Sequence, residues 1–251
     1  MVANYTNWES LCGGTQVCRL KLMSTLYLVA TPIGNLADIT YRAVETLSNV
    51  DVIACEDTRH TQQLLCHYHI SKRLIATHAH NEEASAKGII SLLAAGQTVA
   101  FVSDAGTPSI SDPGSRLVEA VRSAGFSVVP IPGVSAFTTL VSVAGLVGKA
   151  ITFEGFLSPK SGRRRGRLAL LLERGEAFVI YESPFRVVKT LADLADLAPE
   201  RKVVIGREMT KKFEEFITGQ AAEVASQLAG RETIKGEFAL LVGPAGDDHD
   251  T

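Results

Sequence analysis

The chain lacks the signatures that would place it in several common functional classes. Neither G-x-G-x-x-G nor G-x-x-x-x-G-K-[ST] occurs in its 251 residues, so the fingerprints of dinucleotide binding and of P-loop phosphate binding are missing. Its four cysteines, at positions 12, 18, 55 and 66, form no C-x-x-C pair and no zinc spacing. Reduced thiols in a cytoplasmic protein are the plain reading, and no metal site is expected. One Trp and 6% aromatic residues are too few for the base-stacking sheet of an RNA-recognition domain. Neither sign of charge is in excess: 25 Lys and Arg against 27 Asp and Glu give a formal −2. Affinity for nucleic acid must therefore come from a local patch. Residues 1–22 have no basic start, apolar centre or cleavage site of a signal peptide, and are read as an extension outside the fold. Residues 123–148 carry no charge, but Gly125, Pro130, Pro132, Gly133 and Gly145 interrupt them. They read as a buried strand, a tight loop and a core helix, and no membrane span is expected.

With 46% hydrophobic and 21% charged residues, the composition is that of a globular protein. β-Branched apolar runs at 25–30, 50–55, 73–77, 97–102 and 126–130 alternate with helical patterns near 39–48, 58–66, 82–95, 113–124 and 134–146. Such alternation signals βαβ units and a largely parallel sheet. From about residue 150, strands are expected at 151–157, 177–181, 202–206, 213–218 and 236–242, with helices at 164–174, 184–198 and 220–229. Strand follows strand more often here, which predicts a mixed sheet. The second of these helices is expected to begin at Pro184, since Pro is favoured at a first helical position. The reading is an α/β protein with domains at 23–149 and 150–244 and an acidic tail at 245–251.

Three loops that follow strands are dense in Gly, Pro and small hydroxyl residues: TPIGN (31–35), SDAGTPSISDPG (103–114) and PIPGVSA (130–136). Loops at the carboxyl ends of parallel strands line the ligand crevice. Gly lets backbone approach a ligand closely, and Pro stiffens the loop. The plainer alternative is three ordinary tight turns.

Together with ACEDTR (54–59), THAHNE (77–82), EGF (154–156), YESPFR (181–186), REMTKKFEE (207–215) and KGEFALLVG (235–243), these loops give an ordered set of motifs. From Met23 to about Gly243 the chain resembles the tetrapyrrole-methylase superfamily, and within it the branch that acts on RNA. The resemblance implies a two-domain fold, with a mostly parallel N-terminal sheet carrying helices on both faces and a mixed C-terminal α/β domain. It further implies S-adenosylmethionine bound in the cleft between the domains, and a homodimer. The implied reaction is 2′-O-methylation of a cytidine in the decoding region of 16S ribosomal RNA within the small subunit. By family position, Pro32 lies near the cofactor, and Asp104, Ala105, Gly106 and Thr107 cradle its amino-acid part. Ser135 and Ala136 line the adenosine pocket, and Tyr181 and the backbone near Ala239 contribute from the second domain. Asp104 also reads as a turn or cap residue. Many relatives in this branch continue past the KGEFALLVG strand with a helical domain, whereas the sequence in hand ends at Thr251.

A ribose hydroxyl must lose its proton during methyl transfer, so a base is expected among Glu56, Asp57, Glu182, His78 and His80. Thr58 and Arg59 are alternatives for holding substrate, Arg59 on a phosphate. The spacing of His78 and His80 is weak for a metal, and the resemblance turns them toward RNA. Lys160, Arg163, Arg164, Arg165 and Arg167 put five cations into eight residues, which reads as a phosphate-binding patch. The alternative is a solvated helix start, where cations oppose the helix dipole. Two competing functions stay open at this point: a porphyrinoid or protein methylase of the same fold, and a non-catalytic RNA-binding assembly factor.

Overall fold

The computed structural model describes residues 24–77, 82–146 and 148–246. The chain forms two compact units that no single cut separates. The first holds residues 24–29, Tyr41–Asp104 and Pro113–Ile131, and the second holds Ala30–Thr40, Ala105–Asp112 and 132–246.

In the first unit β1 (Thr25–Val29), β2 (Val52–Cys55), β3 (Arg73–Ala76), β4 (Val99–Val102) and β5 (Ser127–Ile131) lie in the order β3-β2-β4-β1-β5. Every pair is parallel. The inner strands β2 and β4 are buried at every position, as their uninterrupted apolar sequences require in a sheet covered on both faces. β5 is an edge strand in which only Ile131 is buried, not the buried strand expected. An edge is where Pro130 is tolerated, because its missing N–H leaves no ladder bond unmade. Helices α1 (Tyr41–Asn49), α2 (Thr58–His67), α3 (Glu82–Ala94) and α4 (Ser115–Ser123) complete the unit. The α3 stripe of Ala86, Ile89 and Leu93 packs with Leu26, Val52, Val99, Phe101 and Val121, at the spacing of one helical face.

In the second unit β6 (Ile151–Phe156), β7 (Ala177–Glu182), β8 (Lys202–Arg207), β9 (Glu215–Gln220) and β10 (Phe238–Val242) lie in the order β6-β7-β10-β8-β9. β6 and β7 are parallel and the other pairs antiparallel, so the sheet is mixed, as expected. Helices α5 (Ala136–Ala144), α6 (Ser161–Glu173), α7 (Val187–Leu197) and α8 (Ala221–Ala229) belong to this unit. Alternate residues of β7 face opposite ways, as strand geometry dictates. Phe178 and Ile180 join Leu168, Leu191 and Val224 in one core, while Val179 joins Leu140 and Ala144 of α5 in another. α5, expected within a domain ending at 149, thus packs on the second sheet.

Two further expectations are corrected. α7 starts at Val187, not at Pro184, because a turn intervenes in which the amides of Arg186 and Val187 both donate to the Ser183 carbonyl. α6 starts at Ser161, so Arg163, Arg164 and Arg165 stand in its first turns. Among the described residues no helix is long and apolar enough to cross a membrane.

Candidate active site

The connections leaving β1 and β4 run in opposite directions across the first sheet. Ligands of such sheets bind beyond the carboxyl ends of strands where the order reverses. Four expected residues gather along that carboxyl edge: Glu56 and Asp57 after β2, Arg59 in the first turn of α2, and Asp104 shortly after β4. Asp104 Oδ1 accepts the Asp57 amide at 3.0 Å and so ties two neighbouring strand ends together. Asp57 caps α2 by accepting the Arg59 amide at 2.8 Å, and its carboxylate also takes Arg59 Nε at 3.3 Å and Nη2 at 3.1 Å. The Arg59 side chain, and after it the Arg59 amide, hold the Asp57 carboxyl down at about 2. So acidic a group is a weak general base at neutral pH. The Arg59 side chain remains 89% exposed. Glu56 is half-buried beside them.

In the second unit the three Gly- and Pro-rich loops fasten to one another. Thr31 and Gly106 exchange backbone hydrogen bonds of 2.9 and 3.0 Å, with Gly106 at φ +80°. Thr107 Oγ1 donates to the Val134 carbonyl at 3.0 Å. Gly133 sits so near Ala30 that an added Cβ would meet the Ala30 Cβ at 2.9 Å. The segments 109–111 and 208–210 carry strain: Ser109, Ser111, Glu208 and Thr210 have φ of 71°, 62°, 48° and 66°. Non-glycine residues persist in this region only where their surroundings over-determine them, which is common at ligand sites.

These segments enclose a cavity of about 440 Å³, a volume suited to a small ligand. Seven of the expected cofactor residues line it: Ala105, Gly106, Thr107, Ser135, Ala136, Tyr181 and Ala239. Pro32 is buried and, like Asp104, is not part of the lining. The Tyr181 hydroxyl accepts the Phe137 amide at 2.8 Å, and its ring stands edge-on to Phe153 at 5.0 Å and to Phe156 at 5.8 Å. Burial pushes the Tyr181 phenol up, against the opposing effects of Ser135 and the Phe137 amide.

Glu182 also borders the cavity, but its carboxylate is fully committed. It accepts Thr190 Oγ1 at 3.0 Å and the Ser183 amide at 2.9 Å, and pairs with Arg186 Nε at 3.0 Å.

Asp112, Phe156, Met209 and Lys211 also line the cavity, although their motifs gave them no expected part in cofactor binding. Lys211 Nζ donates to Glu208 Oε1 and Glu237 Oε2, both at 2.9 Å. Burial alone would lower the Lys211 ammonium, yet the two carboxylates outweigh it and the net shift is upward. Gly34 makes this possible from the TPIGN loop, since a Cβ there would overlap Lys211 Cγ. A Gly in a motif was the available signal for that close approach.

The cation run divides. Arg164, with 6% of its side chain exposed, holds Asp193 at 2.7 Å, so it is not part of an exposed patch. Arg165 bridges Asp193 and Asp196, both at 2.9 Å, and Arg167 clasps Glu154 at 2.7 and 2.6 Å. Lys160 and Arg163 remain exposed. His78 and His80 lie outside the described residues.

A family model described as Tetrapyrrole (Corrin/Porphyrin) Methylases matches residues 25–225. Ribosomal RNA small subunit methyltransferase I of Neisseria meningitidis serogroup B is 48% identical over 225 residues, covering 89% of this chain and 77% of the relative. The protein of that name from Borrelia garinii subsp. bavariensis is 49% identical over 218 residues, 86% of this chain and 97% of the relative. Among solved structures, a cobalt precorrin-4 methyltransferase of cobalamin biosynthesis matches with TM-score 0.67 at 15% identity, over 89% of this chain and 96% of its own. Uroporphyrin-III-C-methyltransferase from Thermus thermophilus matches with TM-score 0.61 at 19% identity, over 88% and 94%. At these identities the structures speak for the fold alone.

Proposed function

Because the chain belongs to the tetrapyrrole methylase family, we propose that it methylates the 2′-hydroxyl of a cytidine ribose in the decoding region of 16S ribosomal RNA, using S-adenosylmethionine. In this reading it acts in the cytoplasm, on RNA within the small subunit, as a homodimer. The observation that carries it is the near-half identity, over almost nine-tenths of the chain, to relatives named for methylation of small-subunit ribosomal RNA. The porphyrinoid enzymes share the architecture, and architecture alone does not assign a substrate.

The cofactor supplies an electrophilic methyl group on a sulfonium, and the protein's part is binding and alignment. The cavity suits it: the small residues Ala105, Gly106, Ser135 and Ala136 stand with the apolar Ile33, Met209 and Phe238 in its lining. Those groups, with Thr107, Tyr181 and Ala239, are assigned to its adenosine and amino-acid parts. Asp104 and Pro32 keep their family roles in this assignment. Of the expected carboxylate bases, Asp57 is acidified and Glu182 is locked in an ion pair, so the assignment passes to Glu56. Arg59, Lys160 and Arg163 are assigned to phosphates, together with His78 and His80 on the substrate side.

The test is transfer of labelled methyl to small subunits, naked 16S RNA and total protein, with nuclease mapping of the product. Label at one ribose-methylated cytidine is expected. Cofactor binding without label in RNA would transfer support to a porphyrinoid or protein methylase, and no cofactor binding would support a non-catalytic assembly factor. Asp104→Ala is expected to abolish cofactor binding with the fold intact, and calorimetry showing unchanged affinity would remove that assignment.

A further inference from the structure

Phe156 and Phe185 are exposed to solvent, with 57% and 87% of their surfaces accessible. Phe156 lines the cavity, and so do Ser183 and Pro184, the two residues before Phe185. Single exposed apolar residues are ordinary on any surface. These two are held by built features of the backbone.

Residues 153 and 156 of an unbroken strand point to opposite faces of the sheet. Here the register between β6 and β7 shifts between Phe153 and Gly155, so Phe153 pairs with Val179 but Phe156 with Tyr181. The bulge, with Gly155 at φ +71°, turns Phe156 onto the face of Phe153, and both rings touch that of Tyr181. Re-aiming a side chain is a common use of a bulge beside a functional site. An added Cβ at Gly155 would lie 2.6 Å from Ser111 Oγ, so the strained loop of the cavity wall packs against this bulge. Phe185 sits on the turn that Arg186 secures. That guanidinium pairs with Glu182 at 3.0 Å and donates to the Leu157 carbonyl at 3.1 Å. The segments bearing the two rings are thereby fastened to each other. Lys160 and Arg163, both exposed, follow Phe156 closely in the chain.

We propose that Phe156 and Phe185 form the surface on which unpaired bases of the substrate RNA stack as the target ribose enters the cavity. The proposal rests on the RNA-methyltransferase reading above. Duplex RNA already displays its 2′-hydroxyls in a shallow groove and keeps its bases stacked, so exposed aromatic rings beside the cavity suit an unpaired target, whose splayed bases are held on aromatic faces. Phosphates flanking those bases carry the charge that Lys160 and Arg163 complement.

The experiment compares a short single-stranded RNA of the decoding-region sequence with the same RNA made abasic at the target cytidine and both neighbours. Phe156→Ala and Phe185→Ala are each expected to weaken binding of the first RNA roughly 5- to 150-fold. Affinity for the abasic RNA stays unchanged in both variants, affinity for S-adenosylmethionine stays unchanged in Phe185→Ala, whose ring lies outside the cavity lining, and Phe156→Trp restores binding. Equal losses on both RNAs, or none, would overturn the proposal. So would loss of self-association in the variants by sedimentation with no base-dependent effect, which would make the surface an interface between copies. Labelling of small subunits by the wild-type chain separates the two claims: no label defeats the proposed function itself. Label with unaffected variants defeats only the stacking surface.

Discussion

A carboxylate in a catalytic neighbourhood is a base only if its lone pairs and charge are available, and Glu182 has neither to spare. Its side chain is 0% exposed and faces Arg186, Thr190 and the Ser183 amide. Removing the charge leaves a partly buried guanidinium uncompensated, which costs on the order of 3 kcal/mol. Glu182→Gln is therefore expected to lower the unfolding free energy by that amount, read from urea denaturation, while cofactor affinity and kcat of the folded protein stay close to wild type. A fall of kcat by orders of magnitude at unchanged stability would return Glu182 to the role of base. Residue chemistry of this kind was only partly legible in the sequence. YESPFR marked the place, but Glu182 and Arg186 are four apart across a turn, and nothing in the letters distinguishes a structural ion pair from a reactive one. By contrast, most of the cavity's small residues were legible, because close backbone approach leaves few residue types to choose from.

Helix α6 shows how an element sorts its own charges. Arg164, Leu168 and Leu171 recur at i, i+4 and i+7 and are all buried, so Arg164 lies on the apolar stripe and must find its counterion inside, at Asp193. The run of basic letters hid this, although the helical period already contained it. Elsewhere α6 exposes Arg163, with Lys160 just before it. The two classes of cation therefore predict opposite results. Lys160→Ala with Arg163→Ala should leave stability almost untouched and flatten the salt dependence of RNA binding by about 0.7 in log–log slope per lost phosphate contact. Arg164→Ala should instead destabilise the fold, again on the order of 3 kcal/mol, with the slope unchanged. Titrations of RNA affinity against salt, paired with thermal melts, distinguish these outcomes. The β6 bulge was less accessible to sequence reasoning, since ITFEGFL reads as one strand. Its interior Gly155 was the signal that the alternation would break.

At the scale of the whole molecule, the expected cut near residue 150 follows from counting elements along the chain, but packing ignores that count. One face of the second sheet buries Val179, Val204, Ala239 and Leu241 beneath Leu140 and Ala144 of α5, with Ile33 from the TPIGN loop against the same cluster. The apolar stripe of α5 was legible, yet a stripe does not say which of two sheets will cover it. The consequence is physical. A fragment of residues 150–251 would keep the core under α6, α7 and α8 but leave the other face of its sheet in water. Apolar patches of that size bind hydrophobic dyes and drive aggregation. Such a fragment should bind a fluorescent hydrophobic probe strongly and melt without a cooperative transition, whereas residues 132–251, which retain α5, should bind less probe and recover part of the cooperativity. If the shorter fragment melted cooperatively and stayed dark to the probe, the second sheet would be self-sufficient, and α5 would belong with the first domain as the linear reading placed it.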